Sequence, residues 1–447
     1  MRTKNAREVA LETLLAIEEK EAYSNLLLNQ MIRTHRLSEK DTGLLTEIVY
    51  GTLQRRDTLD YYLRPFVKKA HKLQTWVKVL LRLSLYQMLY LDRIPDRAVI
   101  FEAVEMAKKR GHRGIASMVN GVLRAIQREG VPSFDAINDE IERLAVETSH
   151  PHWLVKRWVA QYGMEETKKM CFANLIAPKQ TARVNTARTT VDEVIEKLSE
   201  EGVEVMHGDI ADEAIKVKKG SLAHTKTFQD GYITIQDESS MLVARALQPC
   251  EHERVLDSCA APGGKSTHIA ELMNGTGQVV SLDIHEHKVK LIEEQAKRLQ
   301  LSNITAKVLD SRQASAYFAD ESFDKILVDA PCSGFGVIRR KPDIKYAKTE
   351  ADLPALAALQ LNILIEAAPL LKAGGTLVYS TCTVDRDENE AVVAEFLRQH
   401  PEFELDDTLK ERMPQAVHPY VKDGQLCLLP HYFDSDGFFI ASLRKKV

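Results

Sequence analysis

The sequence predicts a multidomain protein: an all-α N-terminal domain, a small α+β module, and a C-terminal α/β domain with helices on both faces of a mostly parallel sheet. Three observations predict this order. Apolar residues recur at three- and four-residue spacing through residues 1–130, short strand patterns flank one amphipathic helix in 180–236, and strand and helix patterns alternate over 237–447. A helical connector over 131–179 joins the first two parts. A chain of 447 residues is long enough for several cores.

The N-terminal domain is predicted to be helical throughout, with breaks at capping and breaking residues. Apolar residues follow helical spacing in "REVALETLLAI" and again in "WVKVLLRLSLYQMLYL". Ser38 with Asp41 is an N-cap signature, Pro95 separates two helices, and Gly111 and Gly114 interrupt the chain before the next one. These signals predict several short helices rather than one long one.

The connector and the small module carry weaker patterns. "HWLVKRWVAQYG" predicts a helix in the connector, and its Trp153, Trp158 and Tyr162 are interpreted as packing anchors rather than platforms for bases. In the module, "TARVNTART", "AIKVKKG" and "YITIQD" predict short strands, and "VDEVIEKLSEEG" predicts the amphipathic helix between them.

Most predicted strands of the C-terminal domain end in an acid or a thiol. The strand patterns are "RVLDSC", "QVVSLD", "ITAKVLD", "KILVDA" and "TLVYSTC", followed near the end by "GFFIASL". In open α/β sheets, ligands bind in the crevice at the carboxyl ends of the strands. We therefore expect one site that brings together Asp283, Asp310, Asp329, Cys332 and Cys382.

The turn after the first of these strands is typical of a cofactor site. In "VLDSCAAPGGKSTHIAELM" a strand passes through small residues into a helix, whose N–H groups then face a ligand. The P-loop pattern fails because Cys259 occupies the position of its first glycine, and the G-x-G-x-x-G of dinucleotide folds is absent. Asp283 is placed to accept both hydroxyls of a ribose, and Asp310 to bond an adenine amino group. The pattern therefore offers positions to bind one ribose and one adenine but no intact phosphate-binding loop. This combination indicates S-adenosylmethionine as the cofactor.

Two thiols face the predicted crevice. A lone cysteine is most often a small buried hydrophobe, but Cys332 and Cys382 follow neighbouring strands beside Asp329. Methylation of carbon 5 of a pyrimidine needs such a set. A thiolate adds to carbon 6, an acid assists near ring nitrogen 3, and a further group helps the thiolate to leave after methyl transfer. The chemistry alone leaves open which of the two thiols attacks.

Long stretches of the chain resemble the Nol/Nop/Sun family of RNA cytosine-5 methyltransferases. "DSCAAPGGKSTHIA", "DAPCSGFGVIRRKPDIK" and "YSTCTVDRDENE" are similar to the family's signature motifs, while "IPDRAVIFEAVEMAKKRG" and "MVNGVLRAI" are similar to the NusB antitermination-factor fold. The resemblance implies a NusB-like RNA-binding domain, a small RNA-recognition-like module and a Rossmann-like methyltransferase domain. Members of the Sun/Fmu type combine these parts, which implies 16S (small-subunit) rRNA as the substrate.

The resemblance also implies roles for individual residues. It implies that Cys382 attacks, that Cys332 assists product release, and that Asp329 serves as the acid/base group at the pyrimidine. No metal site is expected, and His268 receives no catalytic role. The family's cofactor-binding positions fall on Cys259, Ala260, Ala261, Pro262, Gly263, Gly264, Lys265, Asp283, Asp310 and Asp329.

The charge distribution indicates a polyanionic partner. The net charge is −4, yet residues 1–130 hold 23 Lys and Arg against 15 Asp and Glu. Arg339, Arg340 and Lys341 follow the Pro-Cys loop, where they are placed to hold phosphates next to a base flipped into the crevice. Exposed arginines are common on helices, but an RNA face of the helical domain would draw on Arg7, Arg33, Arg36, Arg55 and Arg56.

The remaining features predict a cytoplasmic monomer that acts on naked or partly assembled small-subunit RNA. Acids interrupt the apolar run at the N-terminus, so it is a poor signal peptide, and no stretch of about 18 apolar residues is expected to span a bilayer. Six cysteines without a CxxC pair indicate free thiols. The alternatives are a tRNA cytosine-5 methyltransferase and a non-catalytic NusB-like assembly factor. An adenine amino-methyltransferase is disfavoured, because Ala330-Pro331-Cys332 replaces its Pro-Pro-aromatic motif.

Overall fold

The computed structural model describes residues 4–20, 24–68 and 70–447, and the chain divides into two compact units. One unit comprises Met1–Ile176 with Arg340–Lys348, and the other comprises Ala177–Arg339 with Thr349–Val447. The second unit therefore contains both the small module and the α/β domain. The segment Arg340–Lys348, which the sequence pattern places in the α/β domain, belongs to the helical unit.

The described part of the first unit is helical, as predicted. Leu45, Leu80 and Leu123 lie in its fully buried core. Ser38 accepts a hydrogen bond from the Asp41 N–H at the start of the third helix, as its sequence signature predicts. The helices before residue 176 are α1 (Ala6–Lys20), α2 (Ser24–His35), α3 (Glu39–Gln54), α4 (Arg56–Leu63), α5 (Thr75–Tyr90), α6 (Asp96–Arg110), α7 (Arg113–Glu129), α8 (Glu140–Thr148), α9 (His152–Tyr162) and α10 (Met164–Asn174).

The connector holds three helices, α8 to α10, where the sequence pattern indicates one or two. The inner face of α10 includes Thr167 and Asn174, and these polar residues weaken the apolar pattern that would have revealed it. Trp158 in α9 is completely buried, which confirms its role as a packing anchor.

The small module is a four-stranded antiparallel sheet in the order β2-β3-β1-β4. Its longer helix begins at a capping box in which Thr190 and Glu193 satisfy each other's backbone N–H groups. Val194 and Leu198 of that helix are buried in the core of the module. The elements are β1 (Thr181–Val184), α11 (Val191–Glu200), β2 (Glu204–His207), β3 (Ala214–Lys219), α12 (Lys226–Gln229) and β4 (Ile233–Ile235).

The α/β domain alternates helices and strands, and each of its six predicted strands is present. Three further short strands, β10 to β12, were not predicted. The elements are α13 (Glu238–Leu247), β5 (Arg254–Asp257), α14 (Gly264–Leu272), β6 (Gln278–Asp283), α15 (Glu286–Arg298), β7 (Ile304–Val308), α16 (Ala314–Tyr317), β8 (Phe323–Asp329), α17 (Ile344–Ala347, within the helical unit), α18 (Leu353–Ala367), β9 (Leu371–Thr381), α19 (Glu390–Gln399), β10 (Phe403–Leu405), α20 (Leu409–Arg412), β11 (Val421–Lys422), β12 (Gln425–Leu428) and β13 (Phe438–Lys445).

The order of the strands determines where a ligand binds. The sheet runs β11-β12-β13-β9-β8-β5-β6-β7, with β10 paired to β13. Strands β5 to β9 are parallel, and β13 is antiparallel to β9. The chain proceeds outward from β5 to β7 and then returns to β8 on the other side. The neighbours β5 and β8 thus form a topological switch point, and the crevice at their carboxyl ends is the expected ligand site.

One helical stretch, Glu350–Leu370, is long and apolar enough to cross a membrane by length and composition. The sequence pattern predicts no such stretch. Ile363, Leu364 and Ala367 of this stretch are buried in the core of the α/β domain. Helices in protein cores pass the same test of length and composition, so the stretch is weak evidence for a membrane span.

Candidate active site

A cavity of about 420 Å³ lies at the carboxyl ends of the parallel strands. It brings together residues that are up to 124 positions apart in the chain, from Ser258 after β5 to Cys382 after β9. Seven of the predicted site residues line it, after the carboxyl ends of five strands: Cys259, Ala261, Asp283, Asp310, Asp329, Cys332 and Cys382.

The loop between β5 and α14 forms one wall of the cavity. Ala260 N–H donates to the Leu282 carbonyl over 2.8 Å, which ties the loop to β6. Gly263 has a φ of 103°, and a Cβ there would also come within 3.2 Å of the Ile292 backbone, so this position requires glycine. The Ala261–Pro262 peptide is cis. Ser258, Cys259 and Ala261 of this loop line the cavity.

Asp257, the last residue of β5, anchors the start of the loop. Its carboxyl is fully buried and accepts a hydrogen bond of 2.6 Å from the Ser266 hydroxyl on α14. Burial raises its pKa to about 7, and the nearby Asp329 carboxylate acts in the same direction. Asp257 therefore joins the end of β5 to the start of α14 through this buried hydrogen bond.

The two acids assigned to the nucleoside lie on neighbouring strand ends. Asp283 accepts a 2.9 Å bond from the His285 N–H, and its other oxygen is 3.9 Å from Lys288 Nζ. Asp310 accepts two bonds, of 3.0 and 3.1 Å, from Arg312 Nε, and this contact lowers its pKa. Asp310 also caps the short turn that follows β7. A nucleoside at Asp310 would therefore compete with the Arg312 guanidinium.

Asp329 at the end of β8 is held from two sides. Lys265 Nζ donates to one carboxylate oxygen over 2.7 Å, and the Ser380 hydroxyl donates to the other over 2.7 Å. Burial acts to lower the pKa of Lys265, but the Asp329 carboxylate more than offsets it, so the pKa is raised. The Lys265 ammonium is thus retained next to Asp329, and it also interacts favourably with a Cys382 thiolate.

The two thiols are within contact distance. Cys332 Sγ lies 3.4 Å from Cys382 Sγ, and all six cysteines of the chain are free. The hydrogen bond to Cys382, followed by burial, holds the pKa of Cys332 well above its usual range. Gly336 N–H donates to the Cys382 carbonyl over 2.9 Å, so the loops that carry the thiols are also joined through the backbone. The site therefore presents two sulfur atoms side by side, with an acid and an ammonium nearby.

The structure adds two features to the predicted site. Lys265 was assigned to cofactor binding, yet its ammonium is directed at Asp329. Ser380 was not singled out at all. Its position two residues before Cys382, at the end of an extended strand, is the pattern that would have found it, since such residues share a face.

The predicted phosphate contact at Arg339 is wrong. Its side chain is only 2% exposed, and its Nη2 donates to Asp434 over 2.5 Å. The carbonyls of Pro430 and Ser435 lie 3.5 Å from Nη1, so the guanidinium is used to join two loops. A buried, paired arginine is not available to a phosphate.

The neighbouring basic residues Arg340 and Lys341 belong to the helical unit. Lys341 is exposed and Arg340 is partly exposed, and both stay predictions as phosphate contacts. Among the arginines of the helical domain, Arg33 and Arg36 are exposed. The other three make internal contacts: Arg7 donates to Gln87, Arg55 lies over the Tyr90 ring, and Arg56 lies over the Tyr346 ring.

His268 is buried in α14, with Nε2 3.5 Å from a Glu213 oxygen. Burial keeps the pKa of this imidazole well below its usual value. It does not line the cavity described above.

The α/β sheet with its switch-point cavity defines a Rossmann-like methyltransferase fold that uses S-adenosylmethionine. Comparisons with known proteins agree with this class. A family model described as 16S rRNA methyltransferase RsmB/F matches residues 244–444, a NusB family model matches 4–128, and a model described as RsmF/B-like, ferredoxin-like domain matches 150–223.

Full-length relatives extend the match over the whole chain. A protein of Bacillus subtilis (strain 168) named "Probable ribosomal RNA small subunit methyltransferase B" is 60% identical and covers 100% of both chains. A protein of Yersinia pseudotuberculosis serotype O:1b named "Ribosomal RNA small subunit methyltransferase B" is 34% identical and covers 99% of both. The chain therefore belongs to the RsmB/F family of 16S rRNA methyltransferases.

Solved structures show the same fold. The crystal structure of PH0851 has a TM-score of 0.82 and 28% identity, and the match covers 100% of this chain and 99% of that one. The structure of NSun6 from Pyrococcus horikoshii with SFG, an analogue of S-adenosylmethionine, has a TM-score of 0.59 and 25% identity. That match covers 66% of this chain and 98% of the other.

Proposed function

We propose that this protein transfers the methyl group of S-adenosylmethionine to carbon 5 of a specific cytosine in 16S rRNA. The proposal rests above all on the pair of thiols, 3.4 Å apart, in the same cavity as the Lys265–Asp329 ion pair. Methylation at a nitrogen or an oxygen needs no sulfur nucleophile, whereas methylation at carbon 5 of a pyrimidine does. The names of the relatives support rRNA of the small subunit as the substrate.

S-adenosylmethionine, when bound, supplies an electrophilic methyl group. The residues present fit it: a loop of small residues offers backbone to the ligand, and Asp283 and Asp310 offer carboxylates to its ribose and adenine. Cys259 to Gly264 are the proposed binding loop. Both acids line the cavity on the β6 and β7 side, which leaves the β8 and β9 side to the target base.

Cys382 is the proposed nucleophile. Its thiolate bonds to carbon 6 of the cytosine, and the electron pair of the 5,6 double bond becomes available at carbon 5 to accept the methyl group. The Lys265 ammonium supports Cys382 over Cys332, because it interacts favourably with a thiolate at Cys382. Asp329, held by Ser380 and Lys265, is the proposed partner of the ring at nitrogen 3.

Cys332 is the proposed group for product release. After methyl transfer, carbon 5 carries both a hydrogen and a methyl group. The Cys332 sulfur, in its thiolate form, is the proposed acceptor of that proton, from its position 3.4 Å from Cys382. The electron pair of the broken bond to hydrogen returns to the 5,6 double bond, and the bond between Cys382 and carbon 6 breaks with its electrons on sulfur. The NusB-like and ferredoxin-like parts are the proposed RNA-binding parts of a cytoplasmic monomer that acts on naked or partly assembled RNA.

The test compares Cys382→Ala and Cys332→Ala with the wild type. Each enzyme is given S-adenosylmethionine with a labelled methyl group and protein-free small-subunit rRNA, with tRNA in parallel. Both methyl transfer and the RNA adduct that survives denaturation are measured. We expect Cys332→Ala to accumulate the adduct and Cys382→Ala to give neither adduct nor methylation. An adduct from Cys382→Ala alone would exchange the two roles, and transfer to tRNA but not to rRNA would overturn the substrate.

A further inference from the structure

The segment that follows the second thiol turns back into the protein core with two polar side chains that are completely buried. Glu388 and Asn389 are each 0% exposed. A buried carboxylate is costly unless donors satisfy it, and a buried amide needs partners on both its oxygen and its nitrogen. Apart from Gln360 on α18, the side-chain partners of these two residues lie directly beside Cys332 and Cys382 in the chain.

Glu388 holds the loop of Cys332. One carboxylate oxygen accepts the Ser333 N–H over 2.8 Å, immediately after Cys332 in the chain. The same oxygen accepts the Gln360 side-chain amide over 2.9 Å. The other oxygen accepts the Ser333 hydroxyl. Gln360 also donates to the Pro331 carbonyl over 3.0 Å, so the residues on both sides of Cys332 are held by one cluster.

Asn389 holds the loop of Cys382 in the same manner. Its side-chain oxygen accepts the Thr381 hydroxyl over 2.6 Å, and its side-chain nitrogen donates to the Thr383 carbonyl over 3.0 Å. The amide therefore binds the residue before Cys382 and the residue after it. The backbone between the two side chains is fixed in turn, because the buried Tyr379 hydroxyl donates to the Glu388 carbonyl over 2.6 Å.

We propose that Glu388 and Asn389 are paired positioning residues, Glu388 for the sulfur of Cys332 and Asn389 for the sulfur of Cys382. Because they are adjacent in the chain and fixed to β9 through Tyr379, they set the separation of the two sulfurs. We therefore expect Glu388 and Asn389 to affect different steps of the reaction. Loss of Glu388 should reproduce the defect of Cys332→Ala, and loss of Asn389 should reproduce that of Cys382→Ala. The naming of those steps as release and attack rests on the proposed function.

The two oxygens of Glu388 allow a matched control. The oxygen that faces Ser333 N–H and Gln360 must be an acceptor, whereas the other faces hydroxyls of Ser333 and Thr383, which can reorient to accept. Glu388→Gln can meet both requirements without a negative charge. Glu388→Ala can meet neither. A role in positioning therefore predicts that Gln restores what Ala loses.

The experiment measures methyl transfer and the denaturation-resistant RNA adduct in parallel for Glu388→Ala, Glu388→Gln and Asn389→Ala, with both cysteine variants as references. A shift of about 1 Å in a reacting group can cost about a hundredfold in rate. We expect Glu388→Ala to lower turnover ten- to a hundredfold while the adduct accumulates. We expect Asn389→Ala to lower both to a similar extent, and Glu388→Gln to stay within about threefold of wild type.

Milder variants keep the test decisive if an alanine variant fails to fold. Gln360→Met removes the amide that donates to Pro331 and Glu388 on the Cys332 side, and Thr381→Val removes a hydroxyl on the Cys382 side. Gln360→Met should accumulate the adduct, and Thr381→Val should lower both adduct and methylation. Equal adduct fractions in both members of a pair, or equal defects in the Gln and Ala variants of Glu388, would overturn the proposal. If the two cysteine references exchange roles, the proposed function fails, but Glu388→Ala must still follow Cys332→Ala.

Discussion

Arg183 makes a buried ion pair, and we expect its loss to lower the free energy of unfolding of the second unit clearly. Arg183 lies on β1 of the small module, is 0% exposed, and pairs with Glu271 on α14, which is 4% exposed. Two bonds of 3.0 Å join its Nε and Nη2 to the two carboxylate oxygens. A third, of 2.9 Å, runs from Nη1 to the Gly264 carbonyl, in the cofactor loop. One side chain therefore joins the small module to the start of α14.

The magnitude follows from the burial of both partners. Removal of one member of a buried pair leaves an unpaired charge, which typically costs about 3–5 kcal/mol. We therefore expect Arg183→Met to lower the free energy of unfolding of the second unit by about that amount. The double variant Arg183→Met/Glu271→Leu should lose much less, because both charges are then absent. Loss of the bond to Gly264 should also weaken S-adenosylmethionine binding in both variants.

Urea unfolding can be followed for the two units separately. The three tryptophans, Trp76, Trp153 and Trp158, all lie in the helical unit, so their fluorescence reports on that unit, whereas far-UV circular dichroism reports on both. We expect the dichroism transition to move and the fluorescence transition to stay. A loss below about 1 kcal/mol in Arg183→Met would show that the buried pair does not stabilise this unit. So would a double variant whose loss equals the sum of the losses in Arg183→Met and in Glu271→Leu.

Three further predictions concern charged side chains. Burial lowers the pKa of Lys345 to about 7, so between about pH 7.5 and 9.5 the unfolded chain binds one proton more than the folded chain. The free energy of unfolding of the helical unit should therefore rise with pH, by up to about 1.4 kcal/mol per pH unit relative to Lys345→Met. Urea titrations followed by tryptophan fluorescence measure this rise. Arg339→Ala should lower the melting temperature because it removes the buried side chain that joins two loops and leaves a cavity, whereas Lys341→Ala should leave it unchanged and weaken rRNA binding in low-salt filter assays. Asp283→Ala should raise the dissociation constant of S-adenosylmethionine about tenfold or more in calorimetric titrations, with an unchanged melting temperature.

The strand ends could be predicted from the sequence because their information is local. A buried parallel strand gives a short apolar run, and the acid or thiol that ends the run must lie at the carboxyl edge of the sheet. That rule predicts one site lined by Asp283, Asp310, Asp329, Cys332 and Cys382, and all five line a single cavity. The helical unit was equally accessible, since its apolar spacing and caps are read within a few turns.

What the sequence could not supply depends on contacts between distant segments. Arg339 follows a functional loop and is basic, so it resembles a phosphate ligand, yet a partner 95 residues later buries it. Lys265 belongs to a cofactor motif, yet its ammonium reaches a carboxylate 64 residues away. The segment Arg340–Lys348 joins the helical unit because Lys345 inserts there and donates to the Gln54 carbonyl over 2.8 Å. None of these pairings has a local pattern.

The distance between the two sulfurs carries a consequence for the timing of proton transfer. The hydrogen bond to Cys382, 3.4 Å away, is the largest cause of the raised pKa of Cys332, and burial is the second. Once Cys382 is bonded to the base, this hydrogen bond is lost, so the pKa of Cys332 falls at the step in which a proton must leave carbon 5.

The variant Cys382→Ala also removes the hydrogen bond between the two sulfurs. Peptide-resolved alkylation over a range of pH should then show Cys332 reacting at lower pH than in wild type. Cys259, whose pKa burial raises to about 12, is the internal control. An unchanged or higher pH for Cys332 would mean that burial alone sets its protonation and that bonding of Cys382 does not time the release.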